Sequence, residues 1–247
     1  MVDQNGTVSW GEALRVYTRP QVVTMLFLGF AAGLPYLLVF STLTLWLRDV
    51  GISRSAIGFF GWVGITYSIK VLWAPVVDRL KLPFLTNALG QRRSWMLLGQ
   101  LGVMAGLGAM VLVDPKASLP GVVACSLLVA FSSSTQDIAI DAFRIESAVD
   151  EYQGAMSASY IYGYRLALLV AGAGALYIAN WSGWDVAYLV MAVLMLVGII
   201  TVLLVSEPDR YVPPDTANME AELKHSLHAD KAGFWHRLEA WFVGAVM

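Results

Sequence analysis

Residues 21–47 read QVVTMLFLGFAAGLPYLLVFSTLTLWL and contain no charged side chain. A hydrocarbon core about 30 Å thick is crossed by about 20 residues of α-helix, so this stretch is long enough to span a membrane. It is too long for the apolar part of a signal peptide, and no small-residue cleavage site follows it. We therefore predict that it remains in the protein as a transmembrane helix.

Five more apolar stretches of comparable length follow, and together they predict an all-α integral membrane protein. The six predicted spans are 21–47, 56–76, 94–113, 120–140, 155–179 and 186–205. Composition agrees, since 57% of the residues are hydrophobic and 14% are charged. A soluble domain usually carries about a quarter charged residues.

Net charge and the positions of cysteine and histidine argue against several classes of function. The net charge of -2 does not suit a nucleic-acid partner. The single cysteine, Cys125, lies within the fourth span, which leaves no disulfide framework and no cysteine-ligated metal site. The histidines all fall in the polar tail, at His225, His228 and His236. A Ser–His protease is therefore not expected, and an aspartyl protease needs carboxylates on two helices, whereas Asp137 and Asp141 share one. We expect no enzyme activity, no metal and no cofactor, with a proton as the coupling ion.

Charge in the short loops predicts the orientation. Seven lysines and arginines lie in the N-terminal segment and the alternate loops, against three in the other loops. Because positive charge collects on the cytoplasmic side, both ends of the chain are predicted to be cytoplasmic.

The regions outside the spans complete the predicted organisation. Residues 1–20 form a cytoplasmic N-terminal segment, 21–205 a six-helix transmembrane domain, 206–233 a polar cytoplasmic linker, and 234–247 an interfacial helix. This order matches the first half of a twelve-span carrier, in which each half holds two inverted three-helix repeats. We expect the chain to be such an N-terminal half, with the C-terminal half of the same transporter as its partner in the lipid bilayer.

Charged side chains inside the spans point to a polar cavity. Each costs at least about 2.5 kcal/mol at a helix centre on insertion scales, and usually faces a partner or water. In the fourth span Asp137, Asp141 and Arg144 have the spacing i, i+4 and i+7, which puts them on one stripe. We predict that Asp137 or Asp141 carries the coupled proton. Alternatively, Asp141 and Arg144 only cap the helix end in the headgroup layer.

Two cations and several neighbouring polar side chains are predicted to bind the substrate. Lys70 either snorkels to the interface or pairs with a carboxylate or an anionic substrate group. Arg165 lies roughly 15 Å along its helix and needs a carboxylate or an anion. Tyrosines beside it offer the faces and hydroxyls that sugars bind, although interfacial packing is the alternative. The predicted set is Tyr67, Lys70, Gln136, Tyr160, Tyr164 and Arg165.

Small residues in the first and fifth spans predict close helix packing. Gly29 and Gly33 are four residues apart and precede Pro35, and residues 171–175 read AGAGA. Small side chains let transmembrane backbones approach closely. Pro35 additionally offers a bend for a rocking motion.

The loop between the second and third spans reads APVVDR at 74–79 and GQRR at 90–93. It resembles the signature loop of the major facilitator superfamily, G-x-x-x-D-R followed by G-x-R-R, with Ala74 in place of the first glycine and extra residues before Gly90. The resemblance implies a cytoplasmic gate between two halves. Its residues would be Asp78, Arg79, Arg92 and Arg93, with Arg144 nearby. A plain positive-inside loop is the alternative.

Five segments resemble one family of that superfamily, the AmpG-type muropeptide permeases of Gram-negative bacteria. They are LGFAAGLP at 28–35, IGFF at 57–60, KVLWAP at 70–75, STQDI at 134–138 with DA at 141–142, and GYRL at 163–166. The resemblance implies proton-driven import of N-acetylglucosaminyl-1,6-anhydro-muropeptides across the inner membrane for peptidoglycan recycling, with a link to β-lactamase induction and antibiotic resistance. The similar acetyl-coenzyme A carriers of eukaryotic organelles leave another anionic solute open. A six-helix channel or a non-transport protein is the second alternative.

Overall fold

The computed structural model of the protein describes residues 15–147 and 150–208, which form helices and connecting turns without a strand. The predicted interfacial helix, nearly all of the linker and most of the N-terminal segment lie outside these residues. Six helical stretches in the described part are long and apolar enough to cross a membrane, which confirms the predicted number. They are span 1, Pro20–Asp49; span 2, Arg54–Leu72; span 3, Gln91–Val111; span 4, Leu119–Ser147; span 5, Tyr152–Ser182; and span 6, Trp184–Leu204.

Several spans consist of shorter helices joined end to end. Span 1 contains Pro20–Val39 and Ser41–Asp49, and span 6 contains Trp184–Leu194 and Leu196–Leu204. Span 2 alternates α-helical and 3₁₀ turns: Arg54–Phe59, Phe60–Gly64, Ile65–Ser68 and Ile69–Leu72. Its three glycines explain part of this, because glycine is the poorest helix former after proline. Outside the spans lie Val16–Thr18, Ala74–Arg79 and Leu85–Leu89.

Span 4 is longer than the sequence predicted. The predicted end was residue 140, but the helix continues to Ser147. No glycine or proline follows residue 140 until Gly154, so the usual signals that end a helix are absent there. The extension carries Glu146, which therefore lies on a helix and not in a loop.

Spans 1 and 5 are interrupted where they face each other. Span 1 breaks at Phe40, which has φ −112° and ψ −96°. Span 5 contains a π-helical turn over Val170–Gly174, within a helical stretch that begins at Asp150 and resumes at Ala175–Ser182. The Thr42 hydroxyl donates a buried hydrogen bond of 2.8 Å to the Ala171 carbonyl and so joins the two irregular regions.

The packing of the spans follows the pattern expected for an inverted repeat. Span 1 packs on span 5 and span 4 packs on span 2, while span 3 packs on span 4 and span 6 packs on span 1. When spans 1, 2 and 3 change places with spans 4, 5 and 6, the contact between spans 1 and 5 becomes the contact between spans 4 and 2. In the same way, the contact between spans 3 and 4 becomes the contact between spans 6 and 1. This is the arrangement of two related three-helix units within one half of a carrier.

Glycines set the distance between spans 1 and 5. A Cβ at Gly33 would lie 2.6 Å from the Tyr164 carbonyl oxygen, and a Cβ at Gly29 or Gly163 would overlap the backbone of the facing helix. Backbone atoms cannot change rotamer as a side chain can. A side chain at any of these three positions would therefore require one of the two helices to move. The predicted close packing through Gly29 and Gly33 is therefore confirmed.

Two apolar clusters lie one above the other along the bundle. One includes Val22, Trp95 and Phe143 and lies at the end where Asp78, Arg92 and Glu146 meet, called here the charged end. The other fills the opposite end. Its buried side chains include Leu38, Trp46, Leu107, Tyr188 and Met191.

A polar layer separates the two clusters at mid-height in the bundle. In span 4 the residues between the clusters include 132–137, and in span 3 they include Gln100; Tyr160 and Tyr164 of span 5 border this layer and pack against the cluster at the charged end. Because each span crosses the bundle, this layer lies near the middle of the apolar stretches. Carriers of this architecture place their binding sites near the bilayer midplane.

Candidate functional site

The polar run of span 4 supplies the centre of the site. Its side chains from Ser132 to Gln136 are all buried. Ser134 and Thr135 each donate a 2.8 Å hydrogen bond to the carbonyl four residues earlier, so these hydroxyls are satisfied within their own helix. The Trp73 indole, directly after the end of span 2, donates to Thr135 over 3.2 Å and links this end of span 2 to span 4. Ser133 and Asp137, by contrast, are free to face the neighbouring spans.

Three side chains of this layer converge without satisfying one another. Tyr67 of span 2 lies beside Ser133, but their hydroxyls form no hydrogen bond of good geometry. Tyr67 Oη, Ser133 Oγ and Asp137 Oδ1 are all buried, and none has a hydrogen-bond partner within the described residues. A buried polar atom left unpaired costs about 1–3 kcal/mol. The cluster is therefore suited to a polar ligand that supplies the missing partners.

Charged and aromatic groups surround this cluster. Lys70 and Asp141 are the charged side chains that act electrostatically on Asp137. Lys70 is half-buried, and no ion pair within 4 Å joins it to a carboxylate of the described chain. Tyr160 and Tyr164 of span 5 also lie within electrostatic reach of Asp137, and their ring centroids are 6.3 Å apart. The structure thus brings together Tyr67, Lys70, Asp137, Tyr160 and Tyr164.

Span 1 adds a residue that the sequence analysis did not single out. The Tyr36 ring lies 6.0 Å from the Tyr67 ring, edge to face, and 4.9 Å from the Phe40 ring. Tyr36 is 40% exposed in the described part of the protein. Its position directly after Pro35 in the span was the only signal that could have indicated it.

Two predicted substrate contacts lie away from the cluster. Gln136 is completely buried, and its amide nitrogen donates a 3.1 Å hydrogen bond to the Ala31 carbonyl of span 1. Arg165 is exposed. It lies two residues from Gly163, which faces span 1, so it points roughly 200° away around the helix.

A second group of charges closes the charged end of the bundle. Arg92 at the start of span 3 forms ion pairs with Asp78, through Nη1, and with Glu146, through Nη2 at 2.7 Å. Its Nε also donates to Glu146. One guanidinium thus holds together span 3, the end of span 4 and the short helix after span 2, as its planar fork of donors permits.

The start of span 3 is also fastened to the end of span 6. The Glu207 carboxylate accepts hydrogen bonds from the backbone N–H groups of Arg92 and Arg93, at 2.6 and 3.1 Å. Arg93 in turn donates to the carbonyls of Val202 and Leu203, at 2.8 and 3.0 Å. An anion at a helix N-terminus and a cation at a helix C-terminus both complement the helix dipole. Gly90 permits this approach, with φ at +94°, a region that favours glycine.

The remaining predicted gate residues take other positions. Arg144 lies outside the ion pairs of Arg92: it donates to the Ser157 hydroxyl at 2.6 Å and lies 3.9 Å from Asp141. Arg79 is exposed at the end of the short helix Ala74–Arg79.

The sequence analysis missed Glu146 and Glu207 as members of this group. Span 4 was predicted to end before Glu146, whereas Glu207 was assigned to the linker. An unbroken helical pattern from residue 140 to 147 was the available signal for Glu146. No cluster of three or more His, Cys, Asp or Glu side chains suited to a metal ion occurs in the described part of the chain.

Comparison with known proteins gives a family and several relatives. The sequence profile of the Major Facilitator Superfamily matches residues 25–247. The anhydromuropeptide permease of Escherichia coli strain K12 is 37% identical over 231 residues, which cover 93% of this chain and 45% of the permease.

Two rickettsial proteins are also similar. The putative transporter AmpG 4 of Rickettsia conorii is 36% identical over 197 residues, covering 79% of this chain and 47% of that protein. The putative transporter AmpG 3 of Rickettsia typhi is 29% identical over 217 residues, covering 87% and 52%. The chain therefore spans about half the length of the relatives that it matches.

Proposed function

The chain belongs to the Major Facilitator Superfamily, and from that premise we propose that it forms half of a proton-coupled carrier of anhydro-muropeptides. The carrier would import N-acetylglucosaminyl-1,6-anhydro-muropeptides across the bacterial inner membrane for peptidoglycan recycling, and the imported fragments would induce β-lactamase. Both ends of the chain would be cytoplasmic, which puts the charged end at the cytoplasmic surface. A transporter of this kind performs no enzymatic reaction on its substrate.

The observation that carries the proposal is the unpaired polar cluster at mid-height. Tyr67, Ser133 and Asp137 present buried polar atoms without partners in the described residues, beside the cation of Lys70. Sugar hydroxyls and amides would satisfy the hydroxyls, and the tyrosine rings of span 5 offer faces on which a sugar packs. A carboxylate of the peptide stem would suit Lys70. The identity of the E. coli relative supports this substrate class.

The proposed proton coupling is supported by the position of Asp137 inside span 4, within electrostatic reach of Lys70 and Asp141. A protonatable carboxylate beside the fixed cation of Lys70 can couple charge to conformation. We infer that Asp137 or Asp141 takes a proton while the cavity faces outward, which frees Lys70 for an anionic substrate. Arg165, the predicted alternative, lies on the other side of span 5. Inward rocking then exposes the carboxylate to the cytoplasm, and the proton leaves.

The charges at the charged end suit a gate that holds the inward side closed. Arg92 joins three elements through Asp78 and Glu146, and Arg93 and Glu207 tie span 3 to span 6. These contacts break when the end of span 3 moves away from span 4, from span 6 or from the short helix after span 2. We propose that they form the N-terminal share of a cytoplasmic gate, to which Arg79 and Arg144 add positive charge.

Uptake of labelled anhydro-muropeptide into cells that express the full-length reading frame containing this chain tests the proposal. Asp137→Asn and Asp141→Asn remove one titratable group each without changing side-chain size. We expect at least one of them to abolish the dependence of uptake on the proton gradient. Asp185→Asn is the matched control, because Asp185 is exposed at the start of span 6, far from the cluster. Full proton-dependent uptake by both site variants would show that the coupling is assigned to the wrong residues.

The substrate is tested in the same cells. Unlabelled anhydro-muropeptide should compete with the labelled compound, and acetyl-coenzyme A should not. Competition by acetyl-coenzyme A alone would replace the proposed substrate by the other anionic solute.

A further inference from the structure

Pro35 removes one hydrogen bond from the middle of span 1. In an α-helix the N–H of residue i donates to the carbonyl of residue i−4, and proline has no N–H. The carbonyl deprived of its helical donor is therefore that of Ala31, which lies inside the helix Pro20–Val39. Both Ala31 and Pro35 are buried, so water at the surface of the bundle does not reach this carbonyl.

The missing donor comes from span 4. Gln136 Nε2 donates to the Ala31 carbonyl oxygen at 3.1 Å, and both residues have no exposed surface. In a bilayer, proline inside a helix is tolerated where a neighbouring helix satisfies the freed backbone group. Gln136 has the required chemistry, because an amide side chain donates through nitrogen at any pH.

The surrounding packing fixes this contact. A Cβ at Gly99 of span 3 would lie 2.8 Å from the Gln136 Cβ, and a Cβ at Gly198 of span 6 would lie 2.5 Å from the Ala31 Cβ. Spans 3 and 6 thus close around the hydrogen bond and leave little room for another side-chain conformation. Four of the six spans meet at this point.

We propose that Gln136 is a positioning residue, whose amide replaces the hydrogen bond that Pro35 removes from Ala31 and thereby fixes span 1 against the Asp137 site. Gln136 immediately precedes Asp137 in span 4, and Pro35 immediately precedes Tyr36 in span 1. The hydrogen bond therefore joins the two helices one residue away from two members of the cluster. It sets where the Tyr36 ring lies relative to the Asp137 carboxylate. In this role Gln136 does not touch the substrate. The uptake experiment below rests on the proposed function, whereas the unfolding experiment does not.

A double-mutant cycle between Gln136 and Pro35 tests the inference. Gln136→Met keeps the length of the side chain and loses the donor, so the Ala31 carbonyl is left unpaired. The substitution also removes Gln136 Oε1, which is buried and unpaired whichever residue stands at position 35. The cost of the unpaired carbonyl is therefore the difference between the two backgrounds, and we expect the folding equilibrium of the full-length protein in detergent to fall by about 5- to 150-fold more with proline at position 35 than with alanine. In the Pro35→Ala background residue 35 supplies its own N–H to Ala31, and the same substitution should then change the equilibrium by less than about 3-fold.

Gln100→Met is the matched control. Gln100 is a second fully buried glutamine, on span 3, whose amide lies against Gly198 as Ala31 does but has no hydrogen-bond partner in the described residues. Its effect should therefore be the same with proline or alanine at position 35. If Gln136→Met is equally harmful in both backgrounds, or if Gln100→Met shows the same rescue, the assignment of Gln136 to the Ala31 carbonyl is wrong.

Uptake kinetics separate positioning from substrate contact. A positioning role predicts that Pro35→Ala restores most of the uptake that Gln136→Met loses. Loss of a substrate contact would raise KM in both backgrounds without rescue, and this result would overturn the inference. The unfolding cycle uses no substrate, so it decides on the Gln136 hydrogen bond even if the protein carries a different solute.

Discussion

Replacing Gly33 by alanine tests whether the contact between spans 1 and 5 depends on the absence of a side chain at that position. The added Cβ would lie 2.6 Å from the Tyr164 carbonyl oxygen and 3.0 Å from both the Tyr164 Cα and the Ala167 Cβ. Ordinary van der Waals contact begins at 3.4 Å, so the oxygen and the methyl group must separate by 0.8 Å, the difference between 3.4 and 2.6 Å. Because two of the three opposing atoms belong to the backbone, the helices must move as bodies.

The size of the effect follows from two opposing contributions. Overpacking of this kind typically costs about 1–3 kcal/mol. Alanine also favours the helix over glycine by about 1 kcal/mol, which partly offsets that cost. Gly108→Ala in span 3 gives the second contribution alone, since nothing lies within 4 Å of the Cβ that would be added there. We expect Gly33→Ala to be about 1–3 kcal/mol less stable than Gly108→Ala.

Reversible unfolding in mixed detergent measures this difference on the full-length protein. Gly163→Ala extends the series, because its Cβ would overlap the Leu26 carbonyl oxygen more severely than at Gly33. The expected order of stability is Gly108→Ala, then Gly33→Ala, then Gly163→Ala. Equal stability of Gly33→Ala and Gly108→Ala would refute the claim that backbone contact sets the spacing of spans 1 and 5.

Two further predictions concern hydrogen-bonded side chains. Arg92 and Glu146 are 9% and 14% exposed, whereas Asp78 is 42% exposed; we therefore expect double-mutant cycles to give Arg92 a larger coupling energy with Glu146 than with Asp78, where solvent should limit it to about 1 kcal/mol. An equal coupling would contradict the role assigned to burial. Tyr188→Phe removes the 2.8 Å hydrogen bond from the Tyr188 hydroxyl to the buried Leu38 carbonyl and should lower stability by about 1–3 kcal/mol. Tyr177→Phe, at a tyrosine 69% exposed, should change stability little, and a loss as large as that at Tyr188 would argue against the hydrogen bond as the cause.

The sequence was sufficient for the number of spans and for close backbone packing through Gly29 and Gly33, although it did not identify span 5 as the partner of span 1. Both follow from local chemistry: apolar length in the first case, and small residues four apart in the second. The approach of Lys70 to Asp137 was predicted as one of two alternatives, because charges inside apolar helices usually face a partner. The tyrosines of span 5 were expected beside Arg165, and their approach to Asp137 was not predicted. The number of spans and the close packing at small residues can each be inferred from the residues of one span at a time.

Side-chain directions were not predictable in the same way. Gln136 lies beside Asp137 in the chain, yet it turns toward span 1, and the reason is the proline on that other helix. Arg165 is deep in span 5, but the glycine two residues before it faces span 1 and leaves the arginine on the outer side. The partners of Arg92 depended on a helix that continues beyond its predicted end. Each of these facts requires the relative placement of two spans, which periodicity within one span does not contain.

Three backbone carbonyls near irregular points of spans 1 and 5 receive hydrogen bonds from side chains of other spans. The Ala31 carbonyl accepts a hydrogen bond from Gln136, the Leu38 carbonyl accepts one from Tyr188, and the Ala171 carbonyl in the π-helical turn accepts one from Thr42. Span 1 takes part in all three of these bonds, so its shape depends on spans 4, 5 and 6 more than on its own helix propensity. A free carbonyl in the bilayer interior costs several kcal/mol. A change in the angle between spans 1 and 4 must therefore either preserve the Gln136 hydrogen bond or pass through a state in which the Ala31 carbonyl is unpaired. This constraint favours motion in which spans 1 and 4 move together near Asp137, with bending confined to the part of span 1 beyond Pro35.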